Sequence, residues 1–352
     1  MKKMGLKLSL IVVLFAAAAL LVAYACVPDT GSSCNTTLKP GDDLKCTLNG
    51  RTFYLYAPKT YNASKPAALI VDAHGAAESA SAHAGLGDEY CTPGTPSLCY
   101  PAYGSGWRKE AEMPGAGFIV ITPQGNNNAW TQSDESFILN TVAQVKRIAN
   151  IDANKVYISG ISNGGLLSYW VGCPNTNVFS GLAPISGGAK CSSVGKAIPV
   201  ITFDAQPDFA YQTSVNASDA MVSLDKCKSG PTTWLTVDKN YTEAVCYDDP
   251  YSNSPKLVPC SSISPAIQPT VCKRWYNCDR GVEVVFCDVA PGTSHGAGNE
   301  AVDAHVLYYN NSHLSLPSLA WRFFKSMPDG GGTSSSSSSS TSSTSSSSGG
   351  CN

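Results

Sequence analysis

The sequence predicts an α/β fold with a mainly parallel central sheet and helices on both faces. Three observations predict it. Short apolar runs of strand length alternate with longer helical stretches. A serine between two glycines stands at the junction of one such strand and an apolar helix. The 352 residues are 43% hydrophobic and only 14% charged, enough to bury one large core.

Taken from the N-terminus, residues 1–25 read as a signal peptide. Lys2, Lys3 and Lys7 precede an apolar run from Leu8 to Val22, and the small-x-small sequence Ala23, Tyr24, Ala25 follows. The run is shorter than the roughly 20 residues that a spanning helix needs. A lipid anchor on Cys26 is the alternative, against which Ala23 is a poor match to the leucine such sites carry. Residues 26–328 form one folded domain. Residues 329–352 begin with Gly330, Gly331 and Gly332 and run into serine and threonine, a composition that packs no core and makes a linker or tail.

Without the signal peptide the chain keeps 21 basic against 26 acidic residues, which speaks against nucleic acid as a partner. All 14 cysteines lie at or beyond Cys26, as expected of a secreted, disulfide-bonded protein. None forms a CxxC pair, so no metal is implied. Asn35, Asn62, Asn216, Asn240 and Asn310 each open an N-x-Ser/Thr sequon.

Within the domain, Arg51 to Ala57 alternates and stops at Pro58, which predicts a leading antiparallel strand. Apolar strands follow at Ala68 to Ala73, Phe118 to Thr122, Val156 to Ser159, Val200 to Phe203 and Val282 to Phe286. Helices are predicted over Ser136 to Ala149, Leu166 to Gly172 and Ser318 to Lys325. Two cysteine-rich stretches break the alternation. They are Tyr90 to Tyr103, with Cys91 and Cys99, and Ser229 to Arg280, with Cys246, Cys260, Cys272 and Cys278; both read as disulfide-stapled loops.

Gly160, Ile161, Ser162, Asn163 and Gly164 form GxSxG between the strand ending at Ser159 and the helix at Leu166. A turn this tight lifts a serine Oγ clear of the sheet, the arrangement of an α/β-hydrolase nucleophile. A second GxSxG, at Gly292 to Gly296, is followed by polar and glycine residues instead of an apolar helix, so Ser294 is rejected. A serine needs a base, and a base needs an orienting acid. His74 and His83 precede the nucleophile, whereas the order in this class is serine, acid, histidine. Of His295, His305 and His313, His295 sits in the glycine-rich loop Gly292 to Gly298 and is taken as the base. His305 and His313 flank a tyrosine-rich segment and read as surface or packing residues. Asp208, on the loop past the strand Pro199 to Phe203, is taken as the acid, with Asp204 at the strand tip as the runner-up. Backbone amides of Asn163 and Ala76 are the expected oxyanion donors, with His74 holding the loop that carries Ala76.

These residues resemble the secreted polyhydroxybutyrate depolymerase and feruloyl esterase family of α/β-hydrolases. The resemblance is carried by Ala68 to Gly75, by GFIVITPQG at Gly117 to Gly125 with Trp130 after it, and by KVYISGISNGG at Lys155 to Gly165. Pro199 to Asp208 and Gly292 to Gly296 complete it. Position by position it implies Ser162 as nucleophile, Asp208 as acid and His295 as base, and a disulfide between Cys227 and Cys278. Asp204, Ala205 and Gln206 replace the family's HGT-like sequence, and its tryptophan soon after the histidine is missing. The expected protein is a monomeric extracellular serine esterase, without metal or organic cofactor and without stable membrane association. Feruloyl or acetyl esters on plant cell-wall polysaccharide are the expected substrates. An aliphatic polyester is the alternative substrate. A rival of another class is a non-catalytic polysaccharide-binding protein, stacking sugars on Trp107, Trp130 and Trp170.

Overall fold

Strand β3 (Ala67–Ala73) is buried along its whole length, and its side chains divide by parity. Leu69 and Val71 join one apolar cluster, Ala68 and Ile70 another. Successive side chains of a strand point to opposite faces, so a strand covered on both sides reads as an unbroken apolar run. This is why such strands were legible in the sequence.

A computed structural model describes residues 33–86, 104–248, 256–264, 267–290, 305 and 313–328. Before β3 come β1 (Asp43–Leu48) and β2 (Arg51–Tyr56). After it follow the short helices α1 (Ala80–His83) and α2 (Trp107–Ala111), then β4 (Ile119–Pro123), α3 (Glu135–Ile148) and β5 (Ile151–Ile161). The chain continues through α4 (Asn163–Gly172), β6 (Gly181–Ile185), β7 (Val200–Asp204), α5 (Tyr211–Leu224) and β8 (Ser229–Val237). The remaining elements are β9 (Ala244–Tyr247), β10 (Leu257–Pro259), β11 (Thr270–Tyr276), β12 (Val284–Asp288) and α6 (Leu316–Ser326).

The main sheet has the order β1-β2-β4-β3-β5-β6-β7-β12-β11-β8. From β4 to β12 neighbouring strands are parallel; β1 and β2 at one end, and β11 and β8 at the other, are antiparallel. One face is covered by α3, α4 and α5, through Phe137, Ile138, Val142, Leu167, Val171 and Met221. The other is covered by α2 and α6, where Trp321 packs edge-on to Phe118 with ring centroids 4.6 Å apart. The mainly parallel sheet with helices on both faces is therefore present.

The stretch 229–280 departs from the expected loop. It supplies β8 and β11, which extend the sheet, and the β9–β10 pair. β8 is an edge strand whose residues are mostly exposed or half-buried, so no apolar run marks it. β6 was also missed, because Pro184 reads as a strand breaker in the sequence GLAPI. Five disulfides join described residues: Cys34–Cys46, Cys173–Cys191, Cys227–Cys278, Cys246–Cys260 and Cys272–Cys287. The expected Cys227–Cys278 bond is among them. Residues 1–25, the tail 329–352, and Cys91 and Cys99 lie outside the described residues.

Candidate active site

Strand β5 runs directly into Ser162. Its amide donates to the Ile185 carbonyl at the end of β6 over 2.8 Å, and α4 begins at the next residue. Ser162 itself carries the strain, with φ 54° and ψ −115°, a conformation that costs a non-glycine residue about 1–3 kcal/mol. The flanking glycines are needed for space. A Cβ on Gly160 would come 2.6 Å from the carbonyl oxygen of Ala73, and one on Gly164 would overlap the same oxygen. The end of β3 thus presses directly on the turn, and any larger side chain there would push them apart.

His305 bridges the serine to an acid. Its Nε2 lies 2.7 Å from Ser162 Oγ, and its Nδ1 lies 2.9 Å from both carboxylate oxygens of Asp208. The Asp208 side chain is fully buried and that of His305 is 12% exposed. A carboxylate against Nδ1 holds the proton there, which leaves Nε2 free to accept from the serine hydroxyl. Asp208 Oδ1 also accepts from the Ala210 amide at 2.8 Å, which fixes the carboxylate at the start of α5.

The base expected at His295 lies outside the described residues, and the imidazole in contact with Ser162 and Asp208 is His305. All three downstream histidines fall between β12 and α6, so their order along the chain cannot separate them. What separates them is contact: the imidazole that meets both Ser162 and Asp208 is that of His305. His313 is held elsewhere, with Nδ1 donating to the Tyr247 carbonyl at 2.7 Å and Leu314 bridged to Cys246 in β9.

Asp204 ends β7, paired in register with Asp288, and its Oδ1 accepts from the Ala205 amide at 2.8 Å. Burial first, and then its hydrogen bond to and repulsion from Asp208, push its carboxyl up to about 8. Near neutrality it is therefore an uncharged acid. Its Oδ2 is buried without a hydrogen-bond partner among the described residues, a position that suits a neutral carboxyl better than a carboxylate.

The loop after β3 lies against the serine turn. A Cβ on Gly75 would stand 3.6 Å from Ile161 Cγ2. His74 is buried, its Nδ1 donating to the Gly75 carbonyl at 2.7 Å and its Nε2 accepting from the Gly125 amide at 2.9 Å. Burial pulls it down to about 4, so it stays neutral and serves as a brace. The Asn163 side chain accepts from the Trp130 amide at 2.5 Å and donates to the Trp130 carbonyl at 3.1 Å, while the Trp130 indole N–H donates to the His74 carbonyl at 2.9 Å. Trp107 and Trp130 are buried and present no ring face for sugar stacking, while Trp170 is half-buried against the core.

No protein-family model matches the chain. Its curated relatives include the protein named "Probable feruloyl esterase C" of Aspergillus niger, 25% identical over 237 residues, which are 62% of this chain and 82% of that one. Feruloyl esterase C of Emericella nidulans is 30% identical over 188 residues, 51% of this chain and 64% of that enzyme, just under two thirds of its length. Among solved structures, the acetyl xylan esterase from Aspergillus awamori has a TM-score of 0.46 at 13% identity, covering 70% of this chain and 92% of that one. The chain has the α/β-hydrolase fold and is similar in sequence to proteins named feruloyl esterases. The polyester-depolymerase side of the resemblance is not represented among the relatives just named.

One residue beside the relay had no place in the sequence reading. Phe209 follows Asp208, lies over the His305 ring with centroids 4.2 Å apart, and is 69% exposed. A large apolar ring left open to solvent beside the imidazole that contacts Ser162 offers a surface to an incoming ligand.

His83 gives the loop region a pH signature. It is fully buried between Asp72 and Glu78, whose charges outweigh the desolvation and push it up to about 10. A folded-state value raised above the ordinary 6.5 contributes stability that is complete below about pH 6.5 and is lost as pH rises through about 10. Thermal denaturation between pH 6.5 and 10 is expected to show a fall in melting temperature that is visibly shallower in His83→Gln.

Proposed function

We propose that the protein is a secreted serine carboxylic-ester hydrolase that removes feruloyl or other hydroxycinnamoyl groups, or acetyl groups, from plant cell-wall polysaccharide. Ser162 is the nucleophile, His305 the general base and Asp208 the orienting acid. The observation that carries this reading is the continuous contact from Ser162 Oγ to His305 Nε2 at 2.7 Å and from His305 Nδ1 to Asp208 at 2.9 Å, at a strained strand-to-helix turn.

Ser162 Oγ attacks the ester carbonyl while its proton passes to His305 Nε2. The tetrahedral oxyanion is met by the backbone amides of Asn163 and Ala76. As the C–O bond to the alcohol breaks, His305 returns the proton to the leaving oxygen. Water then attacks the acyl-serine with His305 again as base, and the free acid departs. No metal or organic cofactor takes part in these steps. The substrate class is supported by the names of the relatives, and an aromatic acyl group has a surface in Phe209. Disulfides among the described residues support an oxidising, extracellular location.

The test is hydrolysis of methyl ferulate, methyl butyrate and a polyhydroxybutyrate suspension by the full chain, beside Ser162→Ala and Phe209→Ala. Methyl ferulate is expected to be cleaved, and not by Ser162→Ala. Loss of an aromatic contact raises KM by about three- to tenfold, so Phe209→Ala is expected to do this for methyl ferulate and to leave methyl butyrate nearly unchanged. Preference for the polyester suspension would overturn the cell-wall reading, and hydrolysis surviving Ser162→Ala would overturn the mechanism.

A further inference from the structure

Behind the loop that follows β3, a second imidazole is enclosed by carboxylates. His83 Nε2 is 3.0 Å from Asp72 Oδ1 and its Nδ1 is 2.9 Å from Glu78 Oε1, with all three side chains between 0 and 2% exposed. Ser105 donates its hydroxyl to Asp72 Oδ2, and the Gly75 amide donates to Glu78 Oε2 at 2.8 Å. This is not a second relay, since Ser105 faces a carboxylate instead of the imidazole and the cluster is sealed from solvent. Both ring nitrogens donate, so the ring is an imidazolium between two carboxylates. One cation faces two carboxylates, and each carboxylate takes a further donor, Ser105 on Asp72 and the Gly75 amide on Glu78; charges at this depth persist only when they are hydrogen-bonded in this way.

The cluster ties three pieces of chain together: the end of β3 through Asp72, the loop through Glu78, and α1 through His83. It grips the loop backbone at Gly75, whose amide donates to the Glu78 carboxylate and whose carbonyl accepts from the Glu78 amide at 3.4 Å. Two residues further on, the Ala77 amide donates to the Asn128 carbonyl at 2.7 Å, with Ala77 held at φ 65°. Between these anchors the Ala76 amide makes no hydrogen bond to any described residue, and Ala76 is exposed. A backbone donor fixed on both sides and left unused is the form that oxyanion stabilisation requires, because such a donor gains from being set in place before charge develops.

We infer that Glu78, itself held by His83, is a positioning residue for the oxyanion donor: by gripping the Gly75 amide it keeps the neighbouring Ala76 amide aimed at the reacting carbonyl. This rests on Ser162 being the nucleophile, as proposed above. Glu78 touches no reacting atom, so its loss acts through Ala76 and only where the oxygen becomes charged.

The full chain is assayed with 4-nitrophenyl acetate as Glu78→Ala, Glu78→Gln and His83→Gln, with competent serines counted by phosphonate titration. A trifluoromethyl ketone, which forms a tetrahedral adduct, is tested as inhibitor. Removal of one oxyanion donor costs a factor of about 100 to 1,000, so misplacing one is expected to lower kcat and kcat/KM together by about 10- to 100-fold in Glu78→Ala. KM stays within about twofold, and the ketone weakens by the same factor as kcat. Glu78→Gln keeps an oxygen for the Gly75 amide and should recover most of the loss. If Glu78→Ala fails to fold, Glu78→Gln and His83→Gln carry the test, His83→Gln showing a smaller fall in kcat matched by weaker ketone binding. A lowered melting temperature with kcat per titrated serine and ketone affinity unchanged would overturn the inference. An unmodified chain that hydrolyses no ester would overturn the functional reading, and this inference with it.

Discussion

His305→Ala is expected to lower kcat/KM for 4-nitrophenyl acetate by about 10⁶-fold, as far as Ser162→Ala does, and the double variant should lose no more than either. In the proposed mechanism serine and imidazole act as one unit. Without Nε2 the hydroxyl keeps its proton at neutral pH and the leaving alcohol has no acid, so removing either member removes both steps. His295→Ala, by contrast, should stay within about threefold of the unmodified protein, as expected of a residue outside the reacting set. A variant at position 305 that remained active while the one at 295 lost activity would restore the glycine-rich loop as the source of the base.

That comparison shows where the sequence stops being informative. The serine turn was legible because its requirements are local: a strand, two glycines and an apolar helix within a dozen residues. Asp208 was legible because it follows a clear apolar strand at a distance that lets its side chain turn back. His305 was not, because 26 residues separate Asp288 from Ser315 and no local pattern in that stretch says which of its three histidines meets the serine. The glycines around His295 drew attention for a reason that fits many loops. The strands at the β8 edge were missed on similar grounds, since an edge exposed to water has no need of the apolar pattern that marks β3 or β7. The cluster of Asp72, Glu78 and His83 left no mark in the sequence either: buried charges are specified by their partners, and the partners are brought together only by the fold.

The two aspartates after the nucleophile are expected to part company sharply. Asp208→Asn keeps the size of the side chain but presents an amide to His305 Nδ1, which favours the wrong tautomer and leaves Nε2 protonated; a fall of about 10⁴-fold in kcat follows. Asp204→Asn should keep near-normal kcat, because the carboxyl it replaces is already uncharged near neutrality and the new amide can donate to Asp208 in its place. Stability separates them further. Asp204 has a folded-state value of about 8 against an ordinary 3.8, so the folded chain holds a proton that the unfolded chain releases, and the native protein loses stability as pH rises from about 4 to 8. The asparagine carries no such proton. Its melting temperature relative to the unmodified protein should therefore climb across that window, with the largest difference at or above pH 8. Should Asp204→Asn instead lose activity as Asp208→Asn does, the carboxylate facing the imidazole would not be acting alone, and the two acids would have to be treated as a single proton-sharing pair.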